Sequence, residues 1–311
     1  MRNGPRVTVL GSLNMDISVT VPRLPEPGAT VLGSAARFTP GGKGANQAVA
    51  AARLGAGVRM AGCVGDDDFG RRLLAALREE GVDHRDVHVT ADVPTGLAMI
   101  SVDTAGENII TVAPGANHEV GEEQVAAAAG QDAILVICAE IPVPAIKAAL
   151  ARAALTTSPG CILNLAPAPP DAAAIVAAGV DWLVVNETEA AAVLGRPVRG
   201  LAEAGRAAAG LITAGARHAV VTAGAHGAAL AGPDGTATIG AFRVDAVDTV
   251  GAGDTFVGAL AVALAAGIPA AEAVRAAAAA GATAATRPGA QAGMPRPPDI
   301  LATTGVVWPA G

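Results

Sequence analysis

The run Asp248-Thr249-Val250-Gly251-Ala252-Gly253-Asp254-Thr255-Phe256 leads straight into an Ala/Leu-rich stretch that reads as a helix over Ala252–Ala265. Glycines at 251 and 253 let backbone approach a ligand, and the free N–H groups at a helix start, aided by the helix dipole, favour an anion. Asp254 at that start is open to two readings. It is an N-terminal cap worth about 1 kcal/mol, or a carboxylate that takes a proton from an alcohol. A base beside an anion hole at this helix start is what phosphoryl transfer to a hydroxyl requires. A second glycine turn, Gly41-Gly42-Lys43-Gly44-Ala45-Asn46-Gln47, also opens a helix, with Lys43 and Asn46 spaced to share one face. Upstream, Gly11-Ser12-Leu13-Asn14-Met15-Asp16 follows the first β-like run. Asn14 and Asp16 alternate onto one side of an extended chain, where they suit vicinal sugar hydroxyls.

Other matches fail on spacing. Gly42-Lys43 has Arg37 and Gly44 where a phosphate loop needs Gly and Ser/Thr. Asp68-Phe69-Gly70 and His84-Arg85-Asp86 spell protein-kinase signatures in reversed order, without the expected Asn. His84 and His88 fall in a polar connection after a helix and have no metal-binding partner set. Leu13 stands where a nicotinamide-binding Gly-x-Gly-x-x-Gly needs its second glycine.

The elements that must position these residues follow from an alternation of short β-rich runs with Ala-rich stretches. Strands are expected at Val7–Leu10, Val58–Val64, Ala133–Ile137, Cys161–Leu165, Trp182–Val185 and His218–Thr222. Helices are expected at Lys43–Leu54, Phe69–Glu80, Glu122–Ala129, Val143–Ala154, from Glu187, at Leu201–Thr213 and at Ala270–Ala285. This predicts an α/β fold with a mostly parallel sheet covered by helices on both faces. Ile17–Phe38 and Gly96–Val112 break the pattern with β-like runs and no helix, so a small antiparallel β appendage is expected from these two pieces. The body would then be 1–11, 40–95 and 113–311, and the discontinuous β appendage 12–39 and 96–112.

The 311 residues are 51% hydrophobic but only 2% aromatic, so the core must come from small aliphatic contacts. A net charge of −7 without a long Lys/Arg run offers no footprint for nucleic acid or an anionic membrane. Three scattered cysteines and an N-terminus unlike a signal peptide suit a cytoplasmic protein. The longest apolar run, Phe256–Ala271, is interrupted by Pro269 and reads as a buried helix pair rather than a membrane span.

Six motifs in order, namely Gly11–Asp16, Gly41–Gln47, Gly65–Gly70, Gly106–Asn108 with Pro114–Asn117, Asn186–Ala190 and Asp248–Phe256, resemble those of the ribokinase-like (pfkB) sugar kinases over nearly the whole chain. Gly106-Glu107-Asn108 and Asn164–Ala168 are most similar to the ribose-phosphorylating members. The resemblance implies a phosphotransferase with an alcohol acceptor, using ATP to phosphorylate the 5-hydroxyl of D-ribose. The resemblance also implies a Rossmann-like body with the small β appendage as its lid. Asn14, Asp16, Gly42, Lys43, Asn46 and Glu140 would hold the sugar, Asp254 would be the base, and the amides of Gly251, Ala252 and Gly253 would form the anion hole. Asn186 and Glu189 would organise Mg²⁺ and its waters, while Thr222, Gly224 and Gly227, with Asn186 and Gly253, would border the nucleotide. Asp248, with Val250, Ala284, Arg287, Gly289 and Gly293, would form a K⁺ site, where Gly293 replaces a family Ser and water would take that ligand's place. Ala276–Thr283 lacks the His or Asn that relatives often place near adenine. A homodimer through the lid is also implied. Another small-sugar kinase (deoxyribose, fructose) and a non-catalytic sugar sensor remain the alternatives. Phe38 is the only aromatic in the lid segments and Arg23 and Arg37 their only arginines, which favours a small neutral sugar over a nucleoside or a sugar phosphate.

Overall fold

The Val/Ile/Leu runs become strands and the Ala-rich stretches helices in the computed structural model, which describes residues 4–129, 133–155 and 160–309. The outermost residues of the expected body therefore lie outside the described residues. The chain opens with β1 (Arg6–Leu10), β2 (Asn14–Thr20), β3 (Arg37–Gly41), α1 (Lys43–Arg53), β4 (Gly57–Gly65), α2 (Asp68–Glu79) and β5 (Asp83–Thr90). It continues through β6 (Gly96–Val102), β7 (Asn108–Ala113), α3 (Glu122–Ala128), β8 (Ile134–Cys138), α4 (Val143–Ala153), β9 (Cys161–Asn164), α5 (Ala172–Ala177) and β10 (Val180–Asn186). Then come α6 (Glu187–Leu194), α7 (Gly200–Ala214), β11 (Ala216–Thr222), β12 (Gly227–Gly232), β13 (Gly235–Gly240), α8 (Ala252–Ala265), α9 (Ala270–Ala284), α10 (Ala290–Gly293) and α11 (Pro297–Thr304).

Nine strands form one sheet in the order β13-β12-β11-β10-β9-β8-β1-β4-β5. From β11 to β5 every pairing is parallel, and β12 and β13 add an antiparallel edge. Alternate side chains feed two cores. On one face Val7, Val9, Val136 and Val184 pack with Val49, Leu77, Leu260 and Ala277 from α1, α2, α8 and α9. On the other, Leu10, Ile137, Leu163 and Val185 pack with Val125, Ile146, Ile175 and Leu211 from α3, α4, α5 and α7. The expected helix-covered, mostly parallel sheet is what the chain forms. Among the described residues, no helix is long and apolar enough to cross a membrane; the apolar run 256–271 is split between α8 and α9.

A second sheet has the order β3-β2-β6-β7. It is mixed rather than antiparallel: β2 pairs parallel with β6, while β3 and β7 run antiparallel to them. The reason is topological. β1 and β5 lie in one parallel sheet, and β2 and β6 are the next strands after each, leaving from the same end in the same direction. The run Thr30–Phe38 was expected to be strand, but pairing begins only at Arg37; its earlier part crosses β2 through single bonds such as Ser34 N–H to the Thr20 carbonyl at 2.8 Å.

Two further differences concern sheet edges. Residues 83–90, expected as a polar connection, are the edge strand β5, with only Val87 buried. An edge strand wetted on both sides loses the alternation by which a strand is recognised. The hairpin β12–β13 was not anticipated either; its Ala/Gly-rich run carries little β-propensity of its own.

Candidate active site

β1 lies between β4 and β8, so the strand order reverses there and leaves a crevice at the carboxyl ends. Three turns converge on it. Gly11–Leu13 leaves β1, Ala139–Glu140 leaves β8, and Gly41–Gly42 leads into α1. Gly42 has φ of +88°, and a Cβ there would sit 2.6 Å from the Asn14 nitrogen, so only glycine lets the two turns touch. Gly42 has no side chain to cap α1. Glu140 substitutes, accepting the Lys43 N–H at 3.3 Å and the Ser12 hydroxyl at 2.6 Å. A carboxylate there also meets the positive end of the helix dipole.

Helix α8 crosses α1 closely because Gly258 faces it: a Cβ at 258 would lie 2.7 Å from the Gln47 carbonyl oxygen and 2.8 Å from Ala50 Cβ. This contact brings the two helix starts together. Asp254, in the first turn of α8, accepts Asn46 Nδ2 on Oδ2 at 2.9 Å and Gln47 Nε2 on Oδ1 at 3.1 Å. The amide of Ala252, expected in the anion hole, instead donates to the Thr249 carbonyl at 3.2 Å, because the turn closes on itself there. The Gly251 and Gly253 amides have no protein partner among the described residues.

These groups surround a cavity of about 340 Å³. Asn14, Asp16, Gly42, Lys43, Asn46 and Glu140 line it, together with Asn186, Glu189, Thr222, Val250, Gly251, Gly253 and Asp254. Ala98, Ile100, Ile110 and Val112 of β6 and β7 form a further wall. Asn14 is oriented by Asn117, whose Nδ2 donates to its Oδ1 at 2.7 Å, leaving the Asn14 amide nitrogen to donate elsewhere.

Four carboxylates (Asp16, Glu140, Glu189, Asp254) share the cavity with one cation, Lys43. Burial, followed by the charges of Glu140 and Asp254, pushes Asp16 up to about 7. Burial pulls Lys43 down, but Asp254 and Glu140 outweigh it and hold the ammonium above its usual range. Burial also raises Glu189. Asn186 and Glu189 form a reciprocal cap at the start of α6: Asn186 Oδ1 takes the Glu189 N–H at 2.9 Å, and Glu189 Oε2 takes the Asn186 N–H at 2.8 Å.

Gly224 and Gly227 are not among the lining residues. Gly227, with φ of +108°, is where the backbone closes on β13 to start the hairpin, so its requirement for glycine is structural. The residues expected around a monovalent cation do meet beside α8. Asp248 accepts Val250 N–H at 3.0 Å and Gly289 N–H at 2.8 Å, and a Cβ on Gly293 would stand 3.0 Å from the Arg287 carbonyl oxygen and 3.3 Å from that of Ala284.

Residues 5–297 match the model of the pfkB family of carbohydrate kinases. The chain belongs to that family. Among this carbohydrate kinase's relatives, it is 36% identical over 298 residues to a ribokinase of Haemophilus influenzae, covering 95% of this chain and 97% of that one. It is 38% identical over 299 residues to a ribokinase of Bacillus subtilis, with the same two coverages. Its structure is similar to that of the Arabidopsis thaliana ribokinase complexed with ribose and ATP, with a TM-score of 0.86 and 29% identity over 97% of this chain and 99% of that one.

Residues of this carbohydrate kinase that sequence reasoning did not place in the site are amides and one hydroxyl: Gln47, Asn117, Asn164, Gln291 and Ser12. Each reaches the site across a long stretch of sequence, as when Gln291 Nε2 donates to Asn46 Oδ1 at 3.1 Å. For Gln47 a local signal existed: apart from its neighbour Asn46, the other buried residues of the helix are glycine, alanine and valine.

Proposed function

We propose that the protein transfers the γ-phosphoryl group of ATP to the 5-hydroxyl of D-ribose, giving D-ribose 5-phosphate and ADP. The observation that carries this reading is the Asp254 carboxylate, held by two amides, in one cavity with Asn14, Asp16 and the Gly251–Gly253 turn. The sugar would be gripped by Asn14, Asp16, Lys43, Asn46 and Glu140, with Gly42 allowing backbone to approach it. Asp254 takes the 5-hydroxyl proton as that oxygen bonds to the γ-phosphorus, and the bond to the bridging oxygen of ADP breaks. The Gly251 and Gly253 amides stabilise charge on the moving phosphoryl group. A small neutral sugar fits the lining, where Phe256 is the only aromatic and no arginine occurs. Phe38 is turned away onto Phe69 of α2, their ring centroids 6.0 Å apart.

The nucleotide would extend past Asn186 and Thr222, with Gly224 and Gly227 beyond. A polyphosphate entering a cavity with three more carboxylates than cations needs a counter-ion, and the buried Glu189 carboxylate beside Asn186 offers hard oxygen donors for Mg²⁺ and its waters. Bound there, Mg²⁺ supplies charge neutralisation on the phosphates. Asp248 and the carbonyls of Val250, Ala284, Arg287 and Gly289 suit a larger monovalent ion such as K⁺, with water taking a ligand position beside Gly293. We place the protein in the cytoplasm, consistent with three buried free thiols. A homodimer would cover exposed apolar side chains of the small sheet such as Met99 and Ile109.

ADP release measured with ribose, deoxyribose, fructose and adenosine, with and without K⁺, tests the assignment. Ribose is expected to lead. Asp254→Asn should lower kcat by roughly 10²–10⁴-fold while circular dichroism stays native; native turnover by that variant would remove Asp254 from the base role.

A further inference from the structure

Gln47 sits fully buried in α1, among residues that are otherwise small. Its Nε2 donates twice, to Asp254 Oδ1 at 3.1 Å and to Asn164 Oδ1 at 2.9 Å. Asn164 is itself fastened, its Nδ2 donating to the Val184 carbonyl at 3.3 Å. The Gln47 amide therefore has one workable orientation, since turned over it would set its oxygen against two other oxygens. The consequence is that Gln47 Oε1 is buried with no hydrogen-bond partner among the described residues. An unpaired buried acceptor is unfavourable for folding, and an apolar side chain of the same length would avoid it. A purely structural account of Gln47 leaves that orphan unexplained.

The other oxygen of Asp254 is treated alike. Asn46 Nδ2 donates to Oδ2, and Gln291 Nε2 holds the Asn46 carbonyl oxygen at 3.1 Å. Each carboxylate oxygen thus meets an amide whose own orientation is set by a second amide. Two donors on two different oxygens define the plane of a carboxylate, which one donor cannot do.

We propose that Gln47 is a positioning residue: clamped by Asn164, its amide fixes the rotation of the Asp254 carboxylate, so that the lone pairs left free face the acceptor hydroxyl in the cavity. The proposal rests on Asp254 being the base. It explains the orphan acceptor as the consequence of keeping an NH₂ group between two oxygens.

The test compares Gln47→Met, which keeps length and removes the donor, with Gln47→Glu, which keeps shape but offers only acceptors, and uses Asp254→Asn as reference. Steady-state kcat, KM for ribose, KM for ATP and the thermal midpoint are measured on each full-length protein. Misalignment of a catalytic group typically costs on the order of 10²-fold. Gln47→Met should accordingly lower kcat by about 10–100-fold, with KM for ribose within about threefold of native; the thermal midpoint should fall modestly, because Asn164 Oδ1 loses its donor while the unpaired Gln47 Oε1 is removed. Gln47→Glu should be slower still, because a second carboxylate would face Asp254; should it fail to fold, Gln47→Met decides alone. Native kcat in Gln47→Met beside an inactive Asp254→Asn would overturn the positioning role and leave the base standing. Native kcat in Asp254→Asn would remove the base reading and this proposal with it. A fall in the thermal midpoint with a parallel rise in KM and unchanged kcat would make Gln47 structural only.

Discussion

Asp254 and the amides of Asn46, Gln47 and Asn164 are at most 8% exposed, whereas across the cavity β7 has no buried residue and Ile110 and Val112 stand 51% and 44% exposed. The first wall is held by side-chain hydrogen bonds that join α1, α8 and β9; the second is held by strand pairing at the edge of a four-stranded sheet. One wall holds its polar groups by several directed hydrogen bonds, the kind of fixation that proton and phosphoryl transfer demand. The other presents apolar surface, which is suited to keeping water from the phosphates. Changes to the first wall should therefore act on kcat, and changes to the second on substrate retention and coupling.

Asp16 breaks the symmetry of that division most strongly, because it stands on β2 of the small sheet yet takes its charge environment from Glu140 and Asp254 of the body. Held at about 7, it is protonated in the free protein below that pH and ionised above it. An ionised carboxylate accepts sugar hydroxyls most strongly. KM for ribose should therefore rise by up to about tenfold per pH unit below 7 and level off above it, since one proton is lost on binding. Asp16→Asn should raise KM by about 10–100-fold, from the loss of hydrogen bonds to a charged group, and abolish the slope. Stability carries the same sign: the unfolded chain releases this proton near 4 and the folded chain near 7. The group's stabilising contribution is thus full below about 4 and is lost as pH rises to 7. A KM independent of pH from 6 to 8 would remove Asp16 from the sugar side.

How far the site was legible follows the same divide between local and distant causes. Asn14 with Asp16 and Lys43 with Asn46 were readable because each pair is set by the repeat of a single strand or helix, whereas Asn186 with Glu189 came only from the resemblance of their motif to the family's. The helix-covered parallel sheet was readable from runs such as Val7–Leu10 and Ile134–Ile137, which are buried on both faces. Asn117 and Asn164 fall inside recognisable motifs and Gln291 does not, but nothing local gives any of them its role, because the groups they hold in the site lie 103 to 245 positions away in sequence. Strand β5 was hidden for the opposite reason: its charged residues satisfy themselves nearby, as Arg85 does on Asp83 at 2.7 Å, so no buried face writes a pattern into the sequence.

The apolar wall gives the next smaller effect. Ile110→Ser and Val112→Ser together should leave kcat for ribose within about threefold, because neither side chain touches the Asp254 amides. Folding stability should change by no more than about 0.5 kcal/mol, the usual range for exposed positions. ATP hydrolysis without sugar should rise severalfold relative to sugar phosphorylation, as water reaches the phosphates. If kcat fell with the hydrolysis ratio unchanged, the apolar wall would be aligning substrate rather than excluding water, and the contrast between the walls would have to be redrawn.

The smallest expected effect lies where the two regions join. Asp67 caps α2 by accepting the Gly70 N–H at 2.7 Å, and it also accepts the Thr95 N–H at 2.8 Å and the Thr95 hydroxyl at 2.7 Å. Thr95 is the last residue before β6 enters the small sheet, and its hydroxyl in turn holds the Gly65 N–H at 3.0 Å. Burial nudges the Asp67 carboxyl upward, but these donors prevail and keep it below its ordinary value. Its stabilising contribution is therefore present above the unfolded value near 4 and lost as pH falls through the lower folded one. Asp67→Ala should cost about 1 kcal/mol, the usual worth of a cap, whereas Asp67→Asn should retain most of it. With β6 less firmly seated, KM for ribose should rise by about two- to threefold and kcat should hold, since the cluster around Asp254 is anchored elsewhere. A loss of kcat in Asp67→Ala comparable to that expected of Gln47→Met would mean that the small sheet and the base move as one body.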